Sequence, residues 1–141
     1  MRQIFLGWFA IGAVIATSPA ARSADYKVIV NSSVNASSVS AEDLRNVFLI
    51  MKSSLGDGSH VTPVIESSGP GHEAFLKECL GKMDSAFKAY YRNLVFTGKG
   101  AMPKSFAGDA EVVAYVANTK GAIGYVSAAA ATPGVKLLNI Q

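Results

Sequence analysis

The stretch Val61-Thr62-Pro63-Val64-Ile65-Glu66-Ser67-Ser68-Gly69-Pro70-Gly71-His72-Glu73-Ala74-Phe75-Leu76 decides the fold class. Val61 to Ile65 is a short β-branched run, with Pro63 favouring a strand end or sheet edge. Ser67 to Gly71 is turn and cap chemistry, and a helix carrying Phe75, Leu76, Cys79 and Leu80 follows, with Gly81 placed to close it. A strand passing through a tight turn straight into a helix is the repeating unit of an α/β sheet.

Toward the N-terminus, Tyr26 to Asn31 reads as a strand and Asn31 to Ser38 as a polar connection. Ser40 with Asp43 resembles a capping box, and Leu44, Val47, Phe48 and Met51 then recur at helical spacing, the helix ending before Gly56. Gly56 to His60 is a turn. Toward the C-terminus, Asp84 or Ser85 caps a helix whose apolar face is Phe87, Tyr90, Tyr91, Leu94 and Val95. Thr97 to Ala107 reads as a loop, and Asp109 starts a helix with Val112, Val113 and Val116 that Gly121 ends. Ile123 to Val126 and Val135 to Ile140 are strands joined by the small residues Ser127 to Ala131. The alternation predicts one α/β domain, a mixed sheet with flanking helices, and no repeat.

The first residues stand apart from that domain. Arg2, the unbroken apolar run Ile4 to Ile15, and Thr17-Ser18-Pro19-Ala20-Ala21 form the three parts of a secretory signal peptide. The run falls short of the roughly 20 apolar residues that span a bilayer. Ala21-Arg22-Ser23 satisfies the small-x-small rule, so residues 1–23 are expected to be cleaved, leaving 24–141 as a periplasmic or secreted domain.

Cleavage also changes the charge. The whole chain has 13 Lys and Arg against 10 Asp and Glu; without Arg2 and Arg22 the ratio is eleven to ten. A near-neutral domain argues against nucleic acid as a partner. Cys79 is the only cysteine, which precludes an intramolecular disulfide, and it does not lie at the cleavage site where a lipid would be attached. The mature protein is expected to be free in solution.

Little in the sequence suggests catalysis. His72 and Cys79 lie seven apart on one predicted helix, about 10 Å in rise, too far for a nucleophile and its base. Asp57 and His60 do not make a metal shell, and neither a P-loop nor a Gly-x-Gly-x-x-Gly pattern is present. No cofactor and no metal is expected. Asn31-Ser32-Ser33 and Asn35-Ala36-Ser37 are formal glycosylation sequons.

The segment with chemical content is Ser67, Ser68, Gly69, Gly71 and His72. At a strand-to-helix turn, free backbone N–H groups, hydroxyl donors and glycines that let a ligand approach closely suit phosphate or another small oxyanion. A second candidate is Thr97, Gly98 and Lys99, a flexible basic loop with Arg92 before it and Lys104 after.

Four stretches carry a resemblance to the phosphate-binding type of periplasmic solute-binding proteins. They are Val28-Ile29-Val30-Asn31, Leu44-Arg45-Asn46-Val47-Phe48-Leu49, Val64-Ile65-Glu66-Ser67-Ser68-Gly69, and Gly121-Ala122-Ile123-Gly124-Tyr125-Val126, the last being the most specific. The chain resembles about one lobe of such a protein, which implies a single three-layer lobe of the type II periplasmic-binding-protein fold. The resemblance implies an exported, non-catalytic binding protein similar to the substrate-binding component of a phosphate ABC transporter, with Ser68 and Gly69 in the family's Ser-Gly-Thr turn. Pro70 stands where the threonine is expected, the arginine expected upstream is missing, and Glu66 is an acid beside the turn. An alternative is a single-lobe interaction module that has lost its ligand and contacts an envelope protein. A homodimer would restore a two-walled cleft.

Overall fold

The computed structural model describes residues 25–141. The predicted signal peptide and its cleavage site lie outside the described residues. Among the described residues no helix is long and apolar enough to cross a membrane.

Six strands form one mixed sheet: β1 Tyr26–Val30, β2 Ser38–Val39, β3 Thr62–Glu66, β4 Lys104–Phe106, β5 Ala122–Ser127 and β6 Lys136–Ile140. Their order is β2-β6-β1-β5-β3-β4. β1 runs antiparallel to both β5 and β6, whereas β3 is parallel to β4 and β5. Four helices cover the sheet: α1 Ala41–Phe48, α2 Pro70–Phe75, α3 Asp84–Phe96 and α4 Asp109–Asn118.

The two-residue period of the strands divides the core in two. Val28, Val30, Ile65, Ile123, Tyr125 and Leu138 face α1, α2 and α3. Ile29, Val64, Ala122 and Val126 face α4 through Val112, Val113 and Val116. The alternation of elements predicted an α/β domain with helices covering the sheet, and helices do lie on both faces, the three-layer lobe that the resemblance implied. Gly124 lets α4 approach: a methyl there would stand 2.9 Å from Val112 Cγ1 and 3.0 Å from Val64 Cγ2.

Several local expectations need correction. Residues 104–106 form β4 rather than loop, paired to Val64–Glu66. Pro63 sits before that ladder begins, paired on its other side with Ile123, so its missing N–H breaks no bond to β4. Ser40 does cap α1, its Oγ accepting from Asp43 N at 3.1 Å, but the Asp43 carboxylate pairs with Lys52 instead of returning to the cap. Neither Asp84 nor Ser85 caps α3: the cap residue is Met83, and no side chain bonds there.

The end of α1 is distinctive. Met51 N donates to Asn46 O and Ile50 N to Val47 O, the paired bonds that close a helix through a left-handed residue. That residue is usually glycine, yet here it is Ile50 with φ 60. A β-branched residue in this region costs about 1–2 kcal/mol. Its side chain is placed under the loop after α3, where a methyl on Gly100 would lie 3.2 Å from Ile50 Cγ2. Met51, predicted to extend the apolar face of the helix, lies beyond it and is 70 % exposed.

α2 continues through one π-helical turn, Leu76–Leu80, and stops at Gly81 with φ 63. α3 docks on the end of α1 through two phenols. Tyr90 Oη donates to Leu49 O at 2.6 Å, and Tyr91 Oη donates to Phe48 O. Asn31 is buried, its Nδ2 donating to Val116 O at 2.7 Å and Ala117 O at 3.2 Å, so it closes the C-terminus of α4. Its amide is therefore inaccessible as a glycosylation acceptor in the folded domain.

Candidate functional site

β3 delivers Glu66 and then Ser67 to its carboxyl end, beside the carboxyl ends of the parallel strands β4 and β5. Ligands of open α/β sheets collect at this edge. Ser67 N donates to Phe106 O at 2.9 Å, which ties the start of the turn to β4. Ser67 and Ser68 are exposed, and Gly69 is the N-cap residue of α2 with φ 112, a backbone geometry that strongly favours glycine. No side chain hydrogen bond caps α2, so the serines do not serve as the expected cap.

Gly71 is buried for a packing reason. A methyl there would stand 2.6 Å from Ser127 N and 2.9 Å from Ser127 Cα, all backbone. It brings the start of α2 against the end of β5 and does not line the turn's outer surface. His72 also turns inward: it is 2 % exposed, with Nδ1 2.5 Å from Tyr125 Oη and Nε2 2.8 Å from Asp84 Oδ1. Both ring nitrogens are engaged, which leaves His72 no free atom for a ligand at the turn.

Tyr125 Oη accepts from Glu66 N at 3.1 Å and shares a hydrogen bond with His72 Nδ1. The Asp84 carboxylate can only accept, so His72 Nε2 donates to it. That bond, followed by one from Lys88, holds the Asp84 carboxyl below its usual range. Tyr125 therefore ties the end of β3 to the start of α2, bracketing the turn. Burial pushes its own phenol up.

Directly beneath the turn lies the Glu66 carboxyl. Glu66 is 2 % exposed, and a methyl on Gly69 would be 3.9 Å from its Oε2. Burial, then a hydrogen bond to Asp109, pushes the Glu66 carboxyl up to about 9. The bond from Glu66 holds Asp109 below its usual range, reinforced by Ser127, whose N donates to Asp109 Oδ1 at 3.0 Å and whose hydroxyl donates to Oδ2. At neutral pH Glu66 carries the proton and the pair carries one negative charge. Glu66 Oε1 is buried without a partner.

The second candidate segment is elsewhere. Gly98 N donates to Val95 O and Lys99 N to Leu94 O, so Thr97, Gly98 and Lys99 are the terminating motif of α3, with Gly98 at φ 70. Thr97 Oγ1 donates to Asn93 O at 2.8 Å. The following Ala101 shares a groove with Thr62 and Pro63, at the amino end of β3, whereas Ser67 follows its carboxyl end. The structure does not bring Lys99 and the serine turn together. Among the described residues no group of three or more His, Cys, Asp or Glu is arranged to hold a metal.

Sequence reasoning noted Glu66 only as a hazard to an anion and missed Asp109, Ser127 and Tyr125 as its supporting residues. Asp109 opens α4 just after Gly108, and Ser127 ends β5, so both stand at element boundaries that the sequence marks. Nothing local in the sequence pairs them.

No protein-family model matches the chain, and no curated protein matches it. Solved structures do. An ABC-type phosphate transport receptor from Vibrio cholerae is 11% identical with a TM-score of 0.54, covering 82% of this chain and 46% of its own. A protein described as a phosphate ABC transporter substrate-binding protein, with bound phosphate, from Clostridium perfringens is 12% identical with a TM-score of 0.60, covering 82% and 44%. PstS from Borrelia burgdorferi is 10% identical with a TM-score of 0.57, covering 83% and 47%. The chain spans about half the length of these structures. The likeness shows the fold: this is one lobe built like part of a phosphate-transporter binding protein.

Proposed function

We propose that the chain is an exported, non-catalytic binding lobe that takes phosphate or a similar small oxyanion at Ser67, Ser68 and Gly69. The observation that carries this reading is the turn itself. Two exposed serines and a left-handed glycine stand at the carboxyl edge of parallel strands, on a fold shared with proteins named for phosphate transport. Protonated Glu66 removes one of the two charges that would otherwise repel an anion there. Titrating residues 24–141 with phosphate and with sulfate by calorimetry tests it: saturable heat is expected, and no heat at millimolar ligand in low salt rejects it.

One observation favours a second reading, an interaction module without a small ligand. Asp109 keeps its negative charge beside the turn and already occupies both donors of Ser127. On this reading the same titration gives no heat, and Asp109→Asn does not restore it. A homodimer that supplies a second wall to the turn belongs to the first reading, and sedimentation with and without phosphate tests it.

A further inference from the structure

Near the amino end of β3, away from the serine turn that follows its carboxyl end, is a surface that oxyanion binding does not explain. Tyr90 and Tyr91 clamp the middle of α3 to the end of α1, and the loop after α3 rests on Ile50 through Gly100. These contacts leave large apolar side chains uncovered: Phe96 is 94 % exposed, Met51 70 %, Val95 51 % and Met102 49 %. Isolated exposed apolar residues are ordinary, but four at and just beyond the ends of two adjoining helices are not.

The charge around them is one-sided. From Ser85 to Gly108 the sequence contains Lys88, Arg92, Lys99 and Lys104 and no acid. With residues 24–141 near neutral overall, the positive charge is concentrated in this segment. Lys88 pairs with Asp84, whereas among the described residues Arg92 and Lys99 are in no ion pair. Lys88, Arg92 and Phe96 succeed one another at i, i+4 and i+8 along α3, which sets cations and the apolar tip on one face.

We propose that this end docks reversibly on an anionic lipid surface, with Phe96 and its neighbours entering the headgroup boundary and Arg92 and Lys99 meeting lipid phosphates. Exposed aromatic and aliphatic side chains flanked by Lys and Arg suit an interface of apolar chains beneath negative headgroups. The cations beside the apolar tip, with no acid between Ser85 and Gly108, are the feature that selects anionic lipid over a protein face. Docked this way, the lobe holds its serine turn away from the membrane.

The test is flotation of residues 24–141, which contain both cores entire, with vesicles of phosphatidylglycerol and phosphatidylcholine or of phosphatidylcholine alone. Binding is expected only to the anionic vesicles, and it is expected to vanish at about 1 M salt, where charges are screened beyond about 3 Å. Phe96→Ser should weaken binding by about tenfold or more, since it removes a whole apolar side chain from the contact. Arg92→Glu with Lys99→Glu should abolish it. These side chains are exposed, and unchanged circular dichroism will show that the variants fold. Absence of binding to anionic vesicles at low salt, or equal binding by wild type and Phe96→Ser, overturns the proposal. Recovery of an acidic protein partner without vesicle binding also overturns it.

Discussion

The carboxylate of Asp109 holds both hydrogen-bond donors of Ser127: Oδ1 accepts the backbone N–H at 3.0 Å, and Oδ2 accepts the hydroxyl. An acid at the first turn of α4 thus binds the last residue of β5, while its other contact shares a proton with Glu66. The start of a helix favours negative charge, which helps decide which acid stays ionised.

Glu66 makes stability depend on pH with a definite sign. Its folded carboxyl binds a proton up to about pH 9, while the unfolded chain releases it near 4.5. The folded state therefore holds more protons across that window, and stability falls as pH rises through it. Glu66→Gln mimics the protonated acid and should flatten this slope, gaining on the order of 2 kcal/mol or more over wild type at high pH. Denaturant unfolding at several pH values between 5 and 9 measures it. Parallel slopes for the two proteins would contradict the assignment.

Gly71→Ala should be among the most damaging single-methyl changes in the domain. Its new carbon meets only backbone of Val126 and Ser127 at 2.6–3.0 Å, so neither partner can rotate away. A loss of about 3 kcal/mol, or failure to fold, is expected. Gly81→Ala meets nothing within 4 Å but must adopt φ 63, and should cost only about 1 kcal/mol. Urea midpoints of the two variants give the comparison, and equal losses would refute the close approach of α2 to β5.

Tyr125→Phe removes the hydroxyl that accepts from Glu66 N and is hydrogen-bonded to His72 Nδ1. Two buried groups lose their partner, which should cost about 2–3 kcal/mol. If phosphate binds the turn, its affinity should fall as well, because the bracket that fixes both ends of the turn is gone. Unfolding and calorimetry on one preparation separate the two effects.

Ser67→Ala combined with Ser68→Ala should weaken phosphate binding about tenfold or more, since hydrogen bonds to a charged group are each worth about 1.5–3 kcal/mol. Lys99→Glu should leave the affinity within about twofold, as its loop runs to the amino end of β3, opposite to the turn, and its charge is screened by salt. Calorimetry on both variants checks the placement. A larger effect from Lys99 would show that the wrong edge had been assigned.

Much of the fold could be read because it rests on local patterns. Val28 to Val30, Val112 to Val116 and Ile123 to Val126 announce buried strands and a helix by branched apolar content alone. β4 escaped because three residues, mostly exposed, make a strand only when Val64–Glu66 is present to pair with them. Val95 fitted the helical period but lies one turn beyond the phenols that dock α3 on α1, and it is exposed. The serine turn was legible because its chemistry is contiguous. The His72, Tyr125 and Asp84 chain was not, since its members are separated by 12 and 53 positions and only the packing of α2 and α3 on β5 brings them together. His72 consequently looked like a ligand residue when it is a structural one.

The bracket formed by Tyr125 has a kinetic consequence. A turn fixed at both ends need not rearrange before it is occupied, so arrival at it is governed by diffusion and charge rather than by a folding or closing step. Ser67 and Ser68 are exposed, with no lid over them among the described residues, so departure meets no gate there either. Any ligand it accepts as a monomer would exchange fast, and occupancy would follow the surrounding concentration from moment to moment instead of storing it.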